Sequence, residues 1–387
     1  MLKENCLIIA GEKSGEEHVM SFLPDIKRSN PSMNFFGVGG DEMSSLGVDL
    51  VYHLRDFSSW GISGVIQKVP FYYKAADKII SEVKKRNCKW AILVDFQTFN
   101  LKLSKRLKEL GVKVLYYVAP QAWAWKSWRV KPLSENVHTL FTILPFEKKW
   151  FQERGVFQVK SVAHPLCHHY RDKFQNRNIL SNEKDKKSYS NMRENCRVLF
   201  LPGSRDFEVK NLLPEFVDSI KKLSKGQSGI VLSPNVHKNL YDPFLKYFDF
   251  VWTHEELSRA LEWAHFAVAA SGTVTLTCAL FEVPTVVCYS TSLLNEFIFH
   301  NFVSYDWYIS LANIVHNEMI FPELIQEKVT SFNILNCLNN WILDQNNYSE
   351  VKERLSKTRP LLGGEVSNVG EFMAKIIGEK KVAEVEY

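Results

Sequence analysis

The chain has 387 residues, 45% of them hydrophobic and 24% charged, which excludes a disordered polymer and is too long for one compact core. Lys and Arg number 48 against 43 Asp and Glu, a formal net charge of +5. An excess this small, with no recognised module, argues against a nucleic-acid-binding protein and leaves an anionic substrate or a membrane surface open.

The seven cysteines are scattered without a CxxC pair and read as reduced thiols of a cytoplasmic protein. The opening MLKENCLIIAGEKSG lacks the long apolar stretch of a secretory signal. No segment approaches the roughly 18–20 apolar residues of a membrane span. The expectation is a cytoplasmic protein, at most peripheral to a membrane.

Cys6–Ala10 predicts a first strand, and Gly11, Ser14 and Gly15 a turn into a helix carrying Val19, Met20 and Leu23. This turn has neither the ending of a P-loop nor GxGxxG spacing. Phe35–Val38 predicts a second strand. In Trp60–Tyr73, Ile62, Val65, Ile66, Val69, Phe71, Tyr72 and Tyr73 form an apolar run with Lys68 and Lys74 nearby. Core packing and an interfacial membrane contact both fit it.

Trp90–Val94 predicts a buried strand ending at Asp95, where a carboxylate faces the crevice in which α/β sheets bind ligands; a turn or N-cap aspartate is the plainer alternative. Leu101–Leu110 has helical leucine spacing, and Val114–Val118, Thr139–Leu144 and Val156–Val162 predict further strands. His164, His168 and His169 lack a carboxylate or thiolate at a familiar ligand spacing, so no metal is expected there. The charged run from Arg171 to Asn195 reads as a linker. Domains are therefore expected at 1–175 and 197–360, with 176–196 between them and 361–387 forming a final helix with Val369, Phe372, Met373 and Ile376 on one side.

Beyond the linker the alternation resumes at Val198–Leu201, Gly229–Leu232, Phe248–Trp252, Phe266–Ala270 and Thr285–Tyr289. Two of these strands run into Gly/Ser turns that open helices: Pro202, Gly203 and Ser204 before Arg205, and Ser271, Gly272 and Thr273. Backbone N–H groups and the positive end of a helix dipole converge at such turns, which suits a phosphate, and Arg205 adds a guanidinium that can clamp two oxygens. The expected class is α/β, two Rossmann-like domains with the phosphate-bearing ligand on the second.

The dispersed motifs AGEKSGEEH, FFGVGGDEM, WGISGV, VDFQTFN, PQAWAW followed by RV, LPFE, AHPL, LPGSRDFEV, AASGTVTL, SLANIV and PELIQ resemble, in that order, the lipid-A-disaccharide synthase family of bacterial glycosyltransferases. The resemblance implies a GT-B fold with an interdomain cleft and no metal or other cofactor. It implies inverting transfer from UDP-2,3-diacylglucosamine to 2,3-diacylglucosamine 1-phosphate, giving a β-1,6-linked disaccharide 1-phosphate and UDP. Asp95 is then the general base, and Arg205 steadies the leaving diphosphate with Gly203, Ser204, Ser271, Gly272 and Thr273. Glu208 orients the loop, and Asn313 and Gln326 line the UDP pocket. Glu12, Ser14 and Gly15 border the acceptor, and Trp60, Ile62, Val65, Ile66, Val69 and Phe71 meet acyl chains or the inner membrane. The last helix returns to the first domain or joins a partner subunit in a homodimer.

Three departures stand out: Lys13 and Glu16 where the family reads GEASGD, DFQTFN for DAPDFN with Thr98 replacing the second acid, and Thr277 where an acid often follows SGTATL. Another UDP-sugar transferase or epimerase of this fold, or a silent UDP-sugar- or lipid-binding relative, are the competing readings.

Overall fold

The computed structural model describes residues 4–57, 69–124, 127–177, 188–223, 225–290 and 308–378, which form two compact units. In the first, Asn5–Ala10 (β1), Asn34–Gly39 (β2), Asp49–His53 (β3), Trp90–Val94 (β4), Lys113–Tyr117 (β5), Thr139–Thr142 (β6) and Val159–Ser161 (β7) form one parallel sheet in the order β3-β2-β1-β4-β5-β6-β7. Successive side chains of a strand point to opposite faces. Leu7 and Ile9 accordingly enter one core with Ala91, Leu93 and the helix residues Leu103 and Leu107. Cys6, Ile8 and Ala10 enter the other, with Ile92, Val94 and the helix residues Val19 and Leu23. Both faces are covered, which is why these strands read as continuous apolar runs. Within β2, Gly37 has φ +150°, and a Cβ there would lie 2.0 Å from the Ile8 carbonyl oxygen, so only glycine fits beside the central strand.

In the second unit, Arg197–Leu201 (β8), Gln227–Leu232 (β9), Phe250–Thr253 (β10), Phe266–Ala270 (β11), Thr285–Tyr289 (β12) and Glu323–Ile325 (β13) form a parallel sheet in the order β10-β9-β8-β11-β12-β13. Both sheets are doubly wound, as expected. The strands β3 and β13 were not anticipated from the sequence. Each lies at or near an edge and is half-buried or only three residues long, so its apolar signal is weak.

The domain boundaries need correction. The chain enters the second unit at Arg171 and leaves it after Leu361, so 171–177 and 188–196 are part of that unit and not of a linker. Phe174 is buried, 5.3 Å from the ring of Phe281 and beneath the Arg359 guanidinium. The Tyr189 hydroxyl donates to the Ile342 carbonyl at 2.9 Å. Charged composition hid these anchors; the rest of the expected linker, 178–187, lies outside the described residues.

The final helix, Val369–Gly378, packs on the first unit of its own chain. Its fully buried line is Gly370, Met373, Ala374 and Ile377, while Val369, Phe372 and Ile376 pack partly buried on the same core. The expected apolar side is thus rotated toward a small residue, because Gly370 lies against helix Leu23–Ser29. A Cβ at Gly370 would stand 2.7 Å from the Phe22 carbonyl oxygen and 2.7 Å from Asp25 Cβ. Gly370→Leu should lower stability by about 1–3 kcal/mol through overpacking. Thermal unfolding, with limited proteolysis of the carboxyl end, checks this.

Candidate active site

In a doubly wound sheet, ligands bind where the strand order reverses, at the carboxyl ends of the two strands flanking that point. In the first unit the chain runs outward from β1 through β2 and β3, then restarts on the other side of β1 with β4. The flanking loops are Gly11–Gly15 and Asp95–Gln97. They touch: a Cβ at Gly11 would meet the Phe96 ring at 2.6 Å. In the second unit the reversal falls between β8 and β11. Its flanking loops are Pro202–Arg205 and Ser271–Thr273, the two predicted anion turns. Sheet topology therefore selects the loops that turn chemistry had singled out.

Asp95 and Phe96 both adopt left-handed backbone conformations, with φ of 44° each, unusual for residues other than glycine. Asp95 N–H donates to the Tyr117 carbonyl at 2.9 Å. Its own carbonyl accepts from Asn100 Nδ2 at 2.8 Å and from the Tyr116 hydroxyl at 2.9 Å. Asn100, fully buried, also donates to the Val94 carbonyl at 3.2 Å. The backbone is thus fixed from three sides, and the carboxyl group is held by the Phe96 N–H and the Gln97 side chain. Burial, and then the charge of Glu12, push its pKa up to about 6, while Gln97, Phe96 and Arg129 pull the other way. Such a carboxylate is ionised at neutral pH yet basic enough to accept a proton.

Glu12 caps helix Lys13–Met20, exposed beside Ser14, whereas Gly15 is buried against Ala10 with its Cβ position 3.4 Å from that methyl. The departures Lys13 and Glu16 form a pair at 3.0 Å, and Lys13 also bonds Glu42. Glu16 is buried and accepts the Met43 N–H at 3.1 Å, tying the turn after β1 to the one after β2. Sequence reasoning also passed over Glu147 of LPFE. Fully buried, it accepts from Trp123 Nε1 at 2.9 Å and from the N–H groups of Ile143 and Leu144 at 3.2 and 3.1 Å. Burial raises its pKa to about 7. His164 caps the short helix after β7 by accepting the Leu166 N–H, and burial lowers its pKa to about 3. Among the described residues, no three His, Cys, Asp or Glu side chains group as metal ligands.

In the second unit Gly203 has φ 110°, the left-handed turn that glycine permits. The Glu208 carboxylate accepts the Ser204 N–H at 2.9 Å and a hydrogen bond from the Arg205 guanidinium at 2.8 Å. The Arg205 side chain is 79% exposed. Ser271 N–H donates to the Cys288 carbonyl at 2.9 Å, and Gly272 and Thr273 open helix Thr273–Leu280. Thr277 is buried and bonds the Thr273 carbonyl within that helix.

Asn313 departs from expectation. Its Nδ2 donates to the Phe321 carbonyl and to Glu323, both at 2.8 Å, and its Oδ1 accepts from the N–H groups of Ile320 and Phe321. Fully buried, it braces the approach to β13 and presents no side-chain hydrogen bond to a ligand. Gln326 follows β13 in a left-handed conformation, with φ 51°.

Of the expected membrane segment, Trp60, Ile62, Val65 and Ile66 lie outside the described residues. Val69 begins helix Val69–Lys85 and is 43% exposed. Phe71 is half-buried and packs against the core at Phe57 and Tyr52, with ring centroids 5.2 and 5.7 Å away.

The profile of the lipid-A-disaccharide synthetase family matches residues 6–377. The chain belongs to that family. It is 31% identical to the lipid-A-disaccharide synthase of Nitrosococcus oceani over 92% of each chain. It is 28% identical to that of Myxococcus xanthus, over 97% of this chain and 98% of the other. Among solved structures it resembles a UDP-GlcNAc 2-epimerase from Neisseria meningitidis bound to UDP-GlcNAc, with a TM-score of 0.59 and 11% identity over 96% of this chain and 99% of that one. It also resembles the calicheamicin glycosyltransferase CalG4, with a TM-score of 0.55 and 12% identity over 97% and 98%. At such identities the likeness establishes the GT-B fold alone; membership of the lipid-A-disaccharide synthetase family makes the chain a glycosyltransferase.

The raised pKa of Asp95 has a thermodynamic consequence. Between about 4 and 6 the folded state binds the proton that the unfolded chain has released, so stability falls as pH rises through that window. The total is about 3 kcal/mol. Asp95→Asn, which keeps an acceptor for the Phe96 N–H, should unfold at a higher temperature than the parent at pH 7.5. The two should converge near pH 4, as calorimetry at both pH values would show.

Proposed function

We propose that the chain transfers a 2,3-diacylglucosamine unit from its UDP conjugate to the 6-hydroxyl of 2,3-diacylglucosamine 1-phosphate, with inversion, releasing UDP. The observation that carries this reading is Asp95, a backbone-clamped, largely buried carboxylate at the switch point of the first sheet, in a member of the lipid-A-disaccharide synthetase family. A sugar hydroxyl is too weak an acid to attack unaided, and Asp95 takes its proton as the new glycosidic bond forms. Glu12, whose charge acts on Asp95, borders the acceptor with Ser14 and Gly15.

Negative charge grows on the departing diphosphate. Arg205, the Gly203 N–H and the N–H groups of Gly272 and Thr273 meet it, the Ser204 and Ser271 N–H groups being taken by Glu208 and the Cys288 carbonyl, with no metal or cofactor required of the residues assigned here. Glu208 pairs with the Arg205 guanidinium and ties down the turn through the Ser204 N–H. Gln326 borders the uridine side, and Asn313 serves that side by bracing Glu323. Among the described residues no helix is long and apolar enough to cross a membrane. The exposed Val69 and Tyr73, beside Lys74, support peripheral contact with the inner membrane where the lipid substrates reside.

Asp95→Ala should reduce turnover by about 10²–10⁴-fold and leave UDP affinity within a factor of about two, because the base acts on the acceptor. UDP release in mixed micelles, alongside calorimetric titration with UDP, separates the two effects; retained turnover would refute the assignment. Glu208→Gln should weaken UDP binding roughly tenfold, since Arg205 loses its charged partner. An unchanged dissociation constant in the same titration would place Arg205 and its turn away from the diphosphate.

A further inference from the structure

Behind Asp95 lies a line of polar groups that no motif predicted. Gln97 opens helix Gln97–Glu109, and its side-chain amide hydrogen-bonds the Asp95 carboxylate. Its Oε1 accepts from Arg129 Nη1. A carboxylate only accepts and a guanidinium only donates, so the amide between them can be oriented in one way: Nε2 toward Asp95 and Oε1 toward Arg129. Arg129 ends the turn Ser127–Arg129 and is 3% exposed. Burying a guanidinium is costly unless charge or hydrogen bonds compensate it, and the carboxylate whose charge acts on Arg129 is Asp95.

We propose that Gln97 and Arg129 are positioning residues for the reaction, a two-link relay that orients the Asp95 carboxylate and brings a buried positive charge to bear on it. The inference rests on Asp95 being the base. Two groups on other elements act on that carboxylate and a third holds its backbone. Glu12 on the loop after β1 opposes ionisation, Arg129 favours it, and Tyr116 on β5 is engaged with the Asp95 carbonyl. Phe96 N–H and Gln97 contribute from Asp95's own loop. The DAPDFN pattern has proline where this chain has Gln97, and proline carries no amide to place between a carboxylate and a guanidinium. The relay therefore accompanies the departure from that pattern.

The test is the pH dependence of kcat/KM for UDP release in mixed micelles, with UDP affinity and thermal unfolding measured on each variant. Gln97→Met, at a half-buried position, should lower kcat about 10- to 100-fold and move the acid limb upward by about one pH unit. KM for both lipids and UDP affinity should stay within about twofold of the parent. Arg129→Met should act in the same direction, and Arg129→Lys should recover part of the loss. The double variant should be no worse than the weaker single one, because the links act in series. An acid limb that does not move in Gln97→Met, or losses that multiply in the double variant, would overturn the relay. Asp95→Asn distinguishes the two levels: if it retains turnover, the base assignment fails; if it is inactive while Gln97→Met keeps the parent profile, only the relay fails. Should Arg129→Met not fold, Gln97→Met and Arg129→Lys decide the matter.

Discussion

The first unit depends on one backbone device at the carboxyl end of β4. Two consecutive residues, Asp95 and Phe96, leave the strand in left-handed conformations that side chains other than glycine adopt at a cost of order 1–3 kcal/mol each. Asp95 is held by the Tyr117 carbonyl and the Tyr116 hydroxyl of β5 and by Asn100 of the helix that follows. Because the backbone is over-determined, the carboxylate has little freedom, and burial can raise its pKa without letting it swing toward solvent. Gly11 completes the arrangement, since any side chain there would collide with Phe96.

Further strain and buried carboxyl groups lie at the same end of the sheet. Val118, just past β5, has φ 66°, an outlier for a β-branched residue, and opens the PQAW turn. Glu16 and Glu147 are buried carboxyl groups with backbone N–H partners, and each ties two successive loops together. Groups of this kind cost stability and are tolerated where geometry matters.

The second unit reaches an anion-ready arrangement by other means. Glu208 takes up the Ser204 N–H at the start of helix Asp206–Lys222 and pairs with Arg205. The turn thus presents an exposed guanidinium and not a bare helix end. Exposure matters here: a pair this accessible contributes little to the fold. It does hold a long, flexible side chain near one orientation, which under the proposed function lowers the entropy lost when the diphosphate binds.

The sequence by itself determined the alternation of buried strands and helices, the two Gly/Ser turns, Asp95 at a strand end and the order of the family's motifs. These are local signals, carried by apolar runs and turn residues within a few positions of one another. Tertiary structure alone decided the rest. Strand order placed the chosen loops at the switch points, since pairing of β1 with β4 and of β8 with β11 joins segments far apart in the chain. Long-range contacts drew the ends of the polar run into the second unit and turned the last helix so that Gly370 faces helix Leu23–Ser29. Saturation of Asn313 by Glu323 and the loop before β13, and the line from Arg129 through Gln97 to Asp95, likewise depend on distances and hydrogen-bond directions that no spacing in a linear chain encodes.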